Sequence, residues 1–141
     1  MTTDTSDGMG PGMGVDQELV EAATRLVVAR ARGDDHTVAA AARCRAGGIV
    51  TGMNVYHFTG GPCAELVAIG AAAGQGAYEL TAIVAVGDGG RGVMPPCGRC
   101  RQVLSDYFPE IEVVVATENG LRAVPVRELL PYAYRSADHN P

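Results

Sequence analysis

Apolar side chains recur along this chain with two different periods. After Asp16, the residues Leu19, Val20, Ala23, Leu26 and Val27 fall three and four apart, the spacing that lines one face of an α-helix. Asp16 offers the short carboxylate that caps the free N–H groups of a helix start. The pattern predicts a first helix from Asp16 to about Ala31. Residues 37–44 and 49–55 are short runs rich in Ala, Val and Ile around a turn at Ala46, Gly47 and Gly48, and they read as a β-hairpin. Pro62 opens a helix over residues 63–73, because its missing N–H and fixed φ suit a first helical turn. Residues 80–86 give a third strand and are followed by a glycine-rich loop. Pro95 and Pro96 introduce a helix over residues 97–106. Residues 113–116 and 121–124 add two strands, and a short helix near residues 126–130 completes the order α-β-β-α-β-α-β-β-α. Helices interleaved with strands imply a mixed sheet covered by helices, an α/β layered domain.

Composition narrows the picture. At 141 residues with 47% hydrophobic side chains, the chain has the length and apolar content of one domain with a single core. All eleven basic residues are Arg, and the formal net charge is -5. That balance argues against a sequence-independent grip on nucleic acid, which relies on surplus Lys and Arg. Small molecules or protein partners fit better. No apolar run approaches the roughly 18–20 residues that span a bilayer, so no membrane association is expected. The first fourteen residues, MTTDTSDGMGPGMG, lack the basic start and apolar stretch of a signal peptide. They are expected to be a disordered tail, with residues 15–135 as the domain and 136–141 as a second tail. With no leader and four cysteines, a reducing compartment, the cytoplasm, is expected, with the cysteines used for metal or catalysis. Gly87, Gly89 and Gly92 spell G-x-G-x-x-G after a strand, but Val93, Met94, Pro95 and Pro96 follow where a dinucleotide fold needs a helix.

The cysteines carry the chemistry. Cys97 and Cys100 form a C-x-x-C pair on one face of a first helical turn, so both sulfurs can reach one ion. Cys63 and Glu65 cannot share a target from mid-helix, since residues two apart diverge by roughly 200°. At a helix start they can, and both sets fall at helix N-termini, where the dipole favours thiolate. Three thiolates leave a tetrahedral zinc one open position, with Glu65 beside it as a proton carrier. A redox pair, or a structural zinc module with Cys44 as fourth ligand, is the alternative, and it gives Glu65 no role. Cys44 lies in an apolar strand and reads as core.

The zinc deaminase signature is H-x-E followed by P-C-x-x-C. This chain matches that known pattern at Cys63-Ala64-Glu65 and Pro96-Cys97-Gly98-Arg99-Cys100, with Cys in place of the first His. From residue 51 to 102 it resembles the cytidine deaminase superfamily, and the stretch NVYHFTGGPCAEL at 54–66 closely resembles the blasticidin-S deaminases within it. GVMPPCGRCRQ at 92–102 and RELLP at 127–131 extend the match over about residues 16–135. The resemblance implies a three-layer α/β/α fold with a five-stranded mixed sheet and a homotetramer with sites at subunit contacts. It also implies one Zn²⁺ per chain on Cys63, Cys97 and Cys100, with Glu65 as the catalytic acid and base. The expected substrate is a small cytosine nucleoside, blasticidin S first and cytidine or deoxycytidine as the alternative. Thr37, Arg91 and Tyr134 match positions near the substrate in the blasticidin-S deaminases, although Thr37 replaces their Ser. Asn54 and Tyr56 are candidate contacts, and the Ala64 N–H a candidate for the pyrimidine edge. Ordinary cytidine deaminases carry Asn-Val-Glu and Cys-Ala-Glu-Arg, so Tyr56 and Leu66 stand in for a carboxylate and an arginine. Without that arginine, the two helix starts and either Arg91 or Arg99 must offset the sulfur charge. His57 reads as a scaffold residue.

Overall fold

Four consecutive alanines, Ala39 to Ala42, pass through the middle of the sheet with no measurable exposure. They belong to a chain that the computed structural model describes over residues 14–135; both expected tails, except Gly14, lie outside the described residues. The elements are α1 (Gln17–Arg30), β1 (Val38–Cys44), β2 (Ile49–Met53), α2 (Ala64–Gly74), β3 (Leu80–Gly87), β4 (Gly92–Met94), α3 (Gly98–Tyr107), β5 (Glu112–Thr117), β6 (Gly120–Pro125) and a 3-10 helix, Val126–Leu129. The alanines alternate as a strand must. Ala39 and Ala41 pack with Leu19, Ala23 and Val27 of α1. Ala40 sits under Ala64 and Ala68, and Ala42 packs with Ile69 and Ala72, all four from α2. Leu104 of α3 joins this second side. The result is an α/β/α stack, with α1 on one face and α2 and α3 on the other.

The sheet runs β2-β1-β3-β5-β6. β1 is antiparallel to both neighbours, β3 and β5 are parallel, and β6 returns antiparallel to β5. These are the five expected strands. A sixth, β4, folds back on the end of β3 through the pairs Ala85–Met94, Val86–Val93 and Gly87–Gly92. It occupies part of the segment read from sequence as a loop, since three residues that begin on Gly92 and run into Pro95 leave no periodicity to detect. The turn that makes this hairpin places Gly89 and Gly90 at φ +62° and +77°, a conformation that side chains with a Cβ rarely adopt. The glycine motif is therefore a β-turn, with no helix after it. The closing helix is a single 3-10 turn, and β2 ends two residues earlier than expected. There the Asn54 side chain takes over, its Oδ1 accepting from the N–H groups of Thr37 and Val38 at 2.7 and 2.9 Å. Among the described residues, no helix is long and apolar enough to cross a membrane.

Asp16 caps α1 as expected, accepting from the Leu19 N–H at 3.1 Å. It also binds β1, since Arg43 Nε donates to its Oδ2 at 2.8 Å and Arg43 Nη2 to its Oδ1 at 3.0 Å. Those charged donors hold the Asp16 carboxyl below its ordinary value of 3.8, against the opposing pull of burial. A depressed carboxylate stabilises the fold above that ordinary value and loses its contribution as pH falls through the folded one. Asp16→Ala is expected to cost about 1–2 kcal/mol at pH 7. In urea unfolding, the gap from wild type should narrow between pH 7 and the lowest pH at which wild type stays folded, as its carboxyl protonates below 3.8. A gap of equal size at both pH values would contradict the assigned role.

Candidate metal centre and substrate pocket

Pro62 and the Pro95-Pro96 pair bring the chain in extended, so that Cys63 and Cys97 each stand at the N-cap of a helix, with ψ of 159° and 171°. The helices thus begin one residue later than expected. Cys100 lies one turn into α3 and its backbone N–H points at Cys97 Sγ, 3.5 Å away. The three Sγ atoms lie within 4.8 Å of one another, and those of Cys63 and Cys97 are 3.5 Å apart. Zinc–sulfur bonds of about 2.3 Å in a tetrahedron set sulfurs about 3.8 Å apart. The donor set is soft and its spacing fits that ion. Cys44 is elsewhere, buried in the apolar core with Val50 and Leu80.

The thiols do not titrate alike. Burial pushes Cys100 strongly up, and the negative charges of Glu65, Cys63 and Cys97 push it further. Burial also raises Cys97, but hydrogen bonds from the Cys100 N–H, from the neighbouring thiols and from the Arg99 N–H outweigh it and leave Cys97 below its ordinary value. Three thiolates therefore need a cation to coexist. Glu65, one residue inside α2, is 5% exposed. Burial raises its carboxyl above the ordinary range, with Cys100 as a hydrogen-bond partner pulling the other way.

Of the two arginines considered for charge balance, the structure selects Arg99. Its Nη2 donates to Gly61 O at 2.8 Å and lies 3.8 Å from Cys63 Sγ. That sulfur in turn raises the guanidinium's pKa. Gly61 is required at this spot, since a Cβ there would collide with Val55 O. Arg91 points elsewhere, to Asp88 Oδ1 at 2.7 Å and Thr37 O at 3.0 Å.

A pocket of about 240 Å³ opens beside the sulfurs. Asn54, Tyr56, Cys63, Ala64, Glu65 and Cys97 line it, while Cys100 is buried behind. Val55 N–H donates to Pro62 O at 3.1 Å, closing the loop that carries Tyr56 to the mouth. Val38, Ala85, Met94 and Pro95 also line it, together with Val55, Gly61 and Pro62 of the loop before α2. The first four were not identified from sequence; the nearness of Met94 and Pro95 to Pro96-Cys97 was the signal for two of them. Thr37, Arg91 and Tyr134 do not line the pocket. Thr37 Oγ1 accepts from Asn54 Nδ2 at 3.2 Å, and the backbone O of Tyr134 accepts from Gln102 Nε2 at 2.7 Å. His57 pairs with Thr59 Oγ1 at 2.5 Å and stacks near Phe58, outside the pocket wall.

Known proteins match this arrangement. The family model described as the cytidine and deoxycytidylate deaminase zinc-binding region matches residues 13–117. A blasticidin-S deaminase of Bacillus cereus is 34% identical over 128 residues, covering 84% of this chain and 91% of that protein. A cytidine deaminase of Halalkalibacterium halodurans is 36% identical over 107 residues, covering 73% of this chain and 80% of that one. The crystal structure of cytidine deaminase from Mycobacterium tuberculosis superposes with a TM-score of 0.70 at 32% identity, covering 85% of this chain and 98% of that chain.

The sulfur cluster makes metal content measurable. Freshly purified protein is expected to hold about one zinc per chain, and Cys100→Ser to lose it and melt earlier, because metal binding is coupled to folding. Elemental analysis that finds full zinc in Cys100→Ser would remove Cys100 from the ligand set.

Proposed function

This chain belongs to the cytidine and deoxycytidylate deaminase family and is a zinc-dependent hydrolytic deaminase, and from that premise we propose that its substrate is blasticidin S. In this reading Cys63, Cys97 and Cys100 hold the metal and Glu65 moves the protons. The observation that carries it is a buried carboxyl on the wall of a pocket beside three convergent sulfurs, those of Cys63 and Cys97 in cysteines that line it and that of Cys100 behind. A structural zinc module has no use for that carboxyl.

The reaction replaces the 4-amino group of cytosine by a carbonyl, consuming water and releasing ammonia. A zinc ion bound at the sulfurs supplies Lewis acidity, lowering the pKa of water toward 7. Glu65 accepts a proton from the attacking water, passes it to ring N3, then carries the second to the departing amine. Its raised pKa suits a group that must both take and give a proton near neutral pH. The Ala64 N–H, in the first turn of α2, has no partner within the helix and faces the pyrimidine edge. Asn54 and Tyr56 contact the sugar.

The substrate assignment draws on the likeness of residues 54–66 to blasticidin-S deaminases and on the similarity to the Bacillus cereus protein. Tyr56 adds a physical reason: where a carboxylate would accept from ribose hydroxyls, a neutral aromatic ring suits a sugar with fewer hydroxyls and a larger appendage. Cytidine is the second reading, favoured by the similarity to cytidine deaminases. We also assign a homotetramer. Tyr56 on the pocket wall and Phe58 two residues further on are 62% and 85% exposed, and neighbouring subunits would cover them. Substrate contacts from Thr37, Arg91 and Tyr134 belong to that assembled form. The cytoplasm, which keeps thiols reduced, is the matching compartment.

Two measurements test this. Glu65→Gln should keep its zinc and its melting temperature while turnover falls at least about 100-fold; a variant that loses zinc would make Glu65 a ligand. In competitive turnover, kcat/KM for blasticidin S should exceed that for cytidine, with Tyr56→Glu shifting the ratio toward cytidine. A wild-type preference for cytidine of about tenfold, or about 1.4 kcal/mol, would overturn the substrate assignment and leave the zinc chemistry standing.

A further inference from the structure

The first turn of α3 carries two arginines two residues apart, and helical geometry sends them about 200° apart. Arg99 reaches across to α2. Arg101 turns the other way: its Nε donates to Pro96 O at 2.8 Å and its Nη1 to Leu129 O at 3.0 Å. Pro96 is buried and directly precedes Cys97. Neither Pro95 nor Pro96 has an N–H, so this stretch can be fastened through its backbone only at carbonyls. At the far end, Leu129 packs on the core beside Val126, which is fully buried. One planar guanidinium therefore joins the peptide ahead of a metal ligand to a fixed point of the C-terminal segment.

We propose that Arg101 is a positioning residue for the metal centre, clamping the Pro96–Cys97 peptide against the Val126–Leu129 turn and so holding the Cys97 sulfur on the ion. The proposal rests on the zinc reading of the three cysteines. Cys97 is the exposed member of the cluster, whereas Cys63 is half-buried and Cys100 is buried. It is the ligand that water can displace, and its departure is the natural first step of metal loss. α3 itself holds Cys100, and Arg99 and the α2 start hold Cys63. Cys97, at the N-cap, is tied to α3 on its C-terminal side, where its O accepts from the Arg101 N–H at 2.9 Å and its Sγ from the Cys100 N–H at 3.5 Å, and on its N-terminal side the two prolines leave the clamp to fix its peptide. A lysine would keep the charge but lacks the rigid fork that meets two carbonyls at once.

The test loads the full chain with zinc and follows its transfer to an excess of a chromogenic chelator, for wild type, Arg101→Lys and Arg101→Gln, beside melting curves and separate kcat and KM values. Zinc release is expected to quicken at least about tenfold in Arg101→Gln, the range seen when groups that orient ligands are removed. It should also quicken in Arg101→Lys, with KM little changed in both. Release rates in the variants within about twofold of wild type, even with lower melting temperatures, would overturn the clamp and leave Arg101 a structural tie. If Arg101→Gln does not fold, the lysine variant decides by the same criterion. Wild-type protein that binds no zinc would overturn the zinc reading and the clamp together, a result distinct from equal release rates.

Discussion

Three sulfur atoms within 4.8 Å of one another cannot all be negative without positive charge among them. Much of the architecture follows from meeting that condition. Two helices, α2 and α3, lie on the same face of the sheet and start at the same place, so the positive ends of two helix dipoles converge on the cluster. Arg99 adds a full charge next to Cys63. Cys100, buried and surrounded by acids, stays a thiol until an ion arrives. Binding the metal thus completes a charge distribution that the protein leaves one cation short.

The scaffold behind the cluster was largely legible in the chain. Prolines at 62, 95 and 96 mark where helices begin, and alternating or three-four spacing marks strands and helices, because each depends on neighbours in sequence. The convergence of Cys63 with Cys97 and Cys100 could be argued from those local signals alone. What stayed hidden depends on contacts between distant segments. β4 exists because β3 offers its end for pairing, and three residues that begin on a glycine and run into a proline carry no signature of that. Choosing Arg99 over Arg91 required knowing that Gly61 O and Cys63 Sγ lie across from the first turn of α3. Arg101, two residues beyond Arg99, serves different partners, Pro96 O and Leu129 O.

Five of the six residues expected around the substrate, all but Tyr134, sort into two groups by what they hold. Ala64, Asn54 and Tyr56 meet the pocket directly. Thr37 and Arg91 form its backing: Arg91 and the Asp88 N–H both bind Thr37 O, and the Thr37 N–H binds Asn54 Oδ1. The hairpin turn, the entry to β1 and the exit from β2 are thereby joined behind Asn54. Such a network fixes the orientation of the Asn54 amide, whose Oδ1 accepts two N–H groups and whose Nδ2 donates to Thr37 Oγ1, and it explains how a residue just past a strand end can serve as a rigid wall.

The alanine run of β1 has a consequence beyond filling the core. Ala40 lies directly beneath Ala64 and Ala68, and Ala64 is the residue between Cys63 and Glu65. The height of the Glu65 carboxyl above the sheet is therefore gauged by three methyl groups in contact, with α1 pressing from the opposite side on Ala39 and Ala41. A gauge made of the smallest side chains that still have a Cβ leaves no slack in either direction. Larger residues would lift the first turn of α2 and carry Cys63 with it, and smaller ones would let it settle, so sulfur spacing on one side of the metal is calibrated by the thickness of a strand that never touches it.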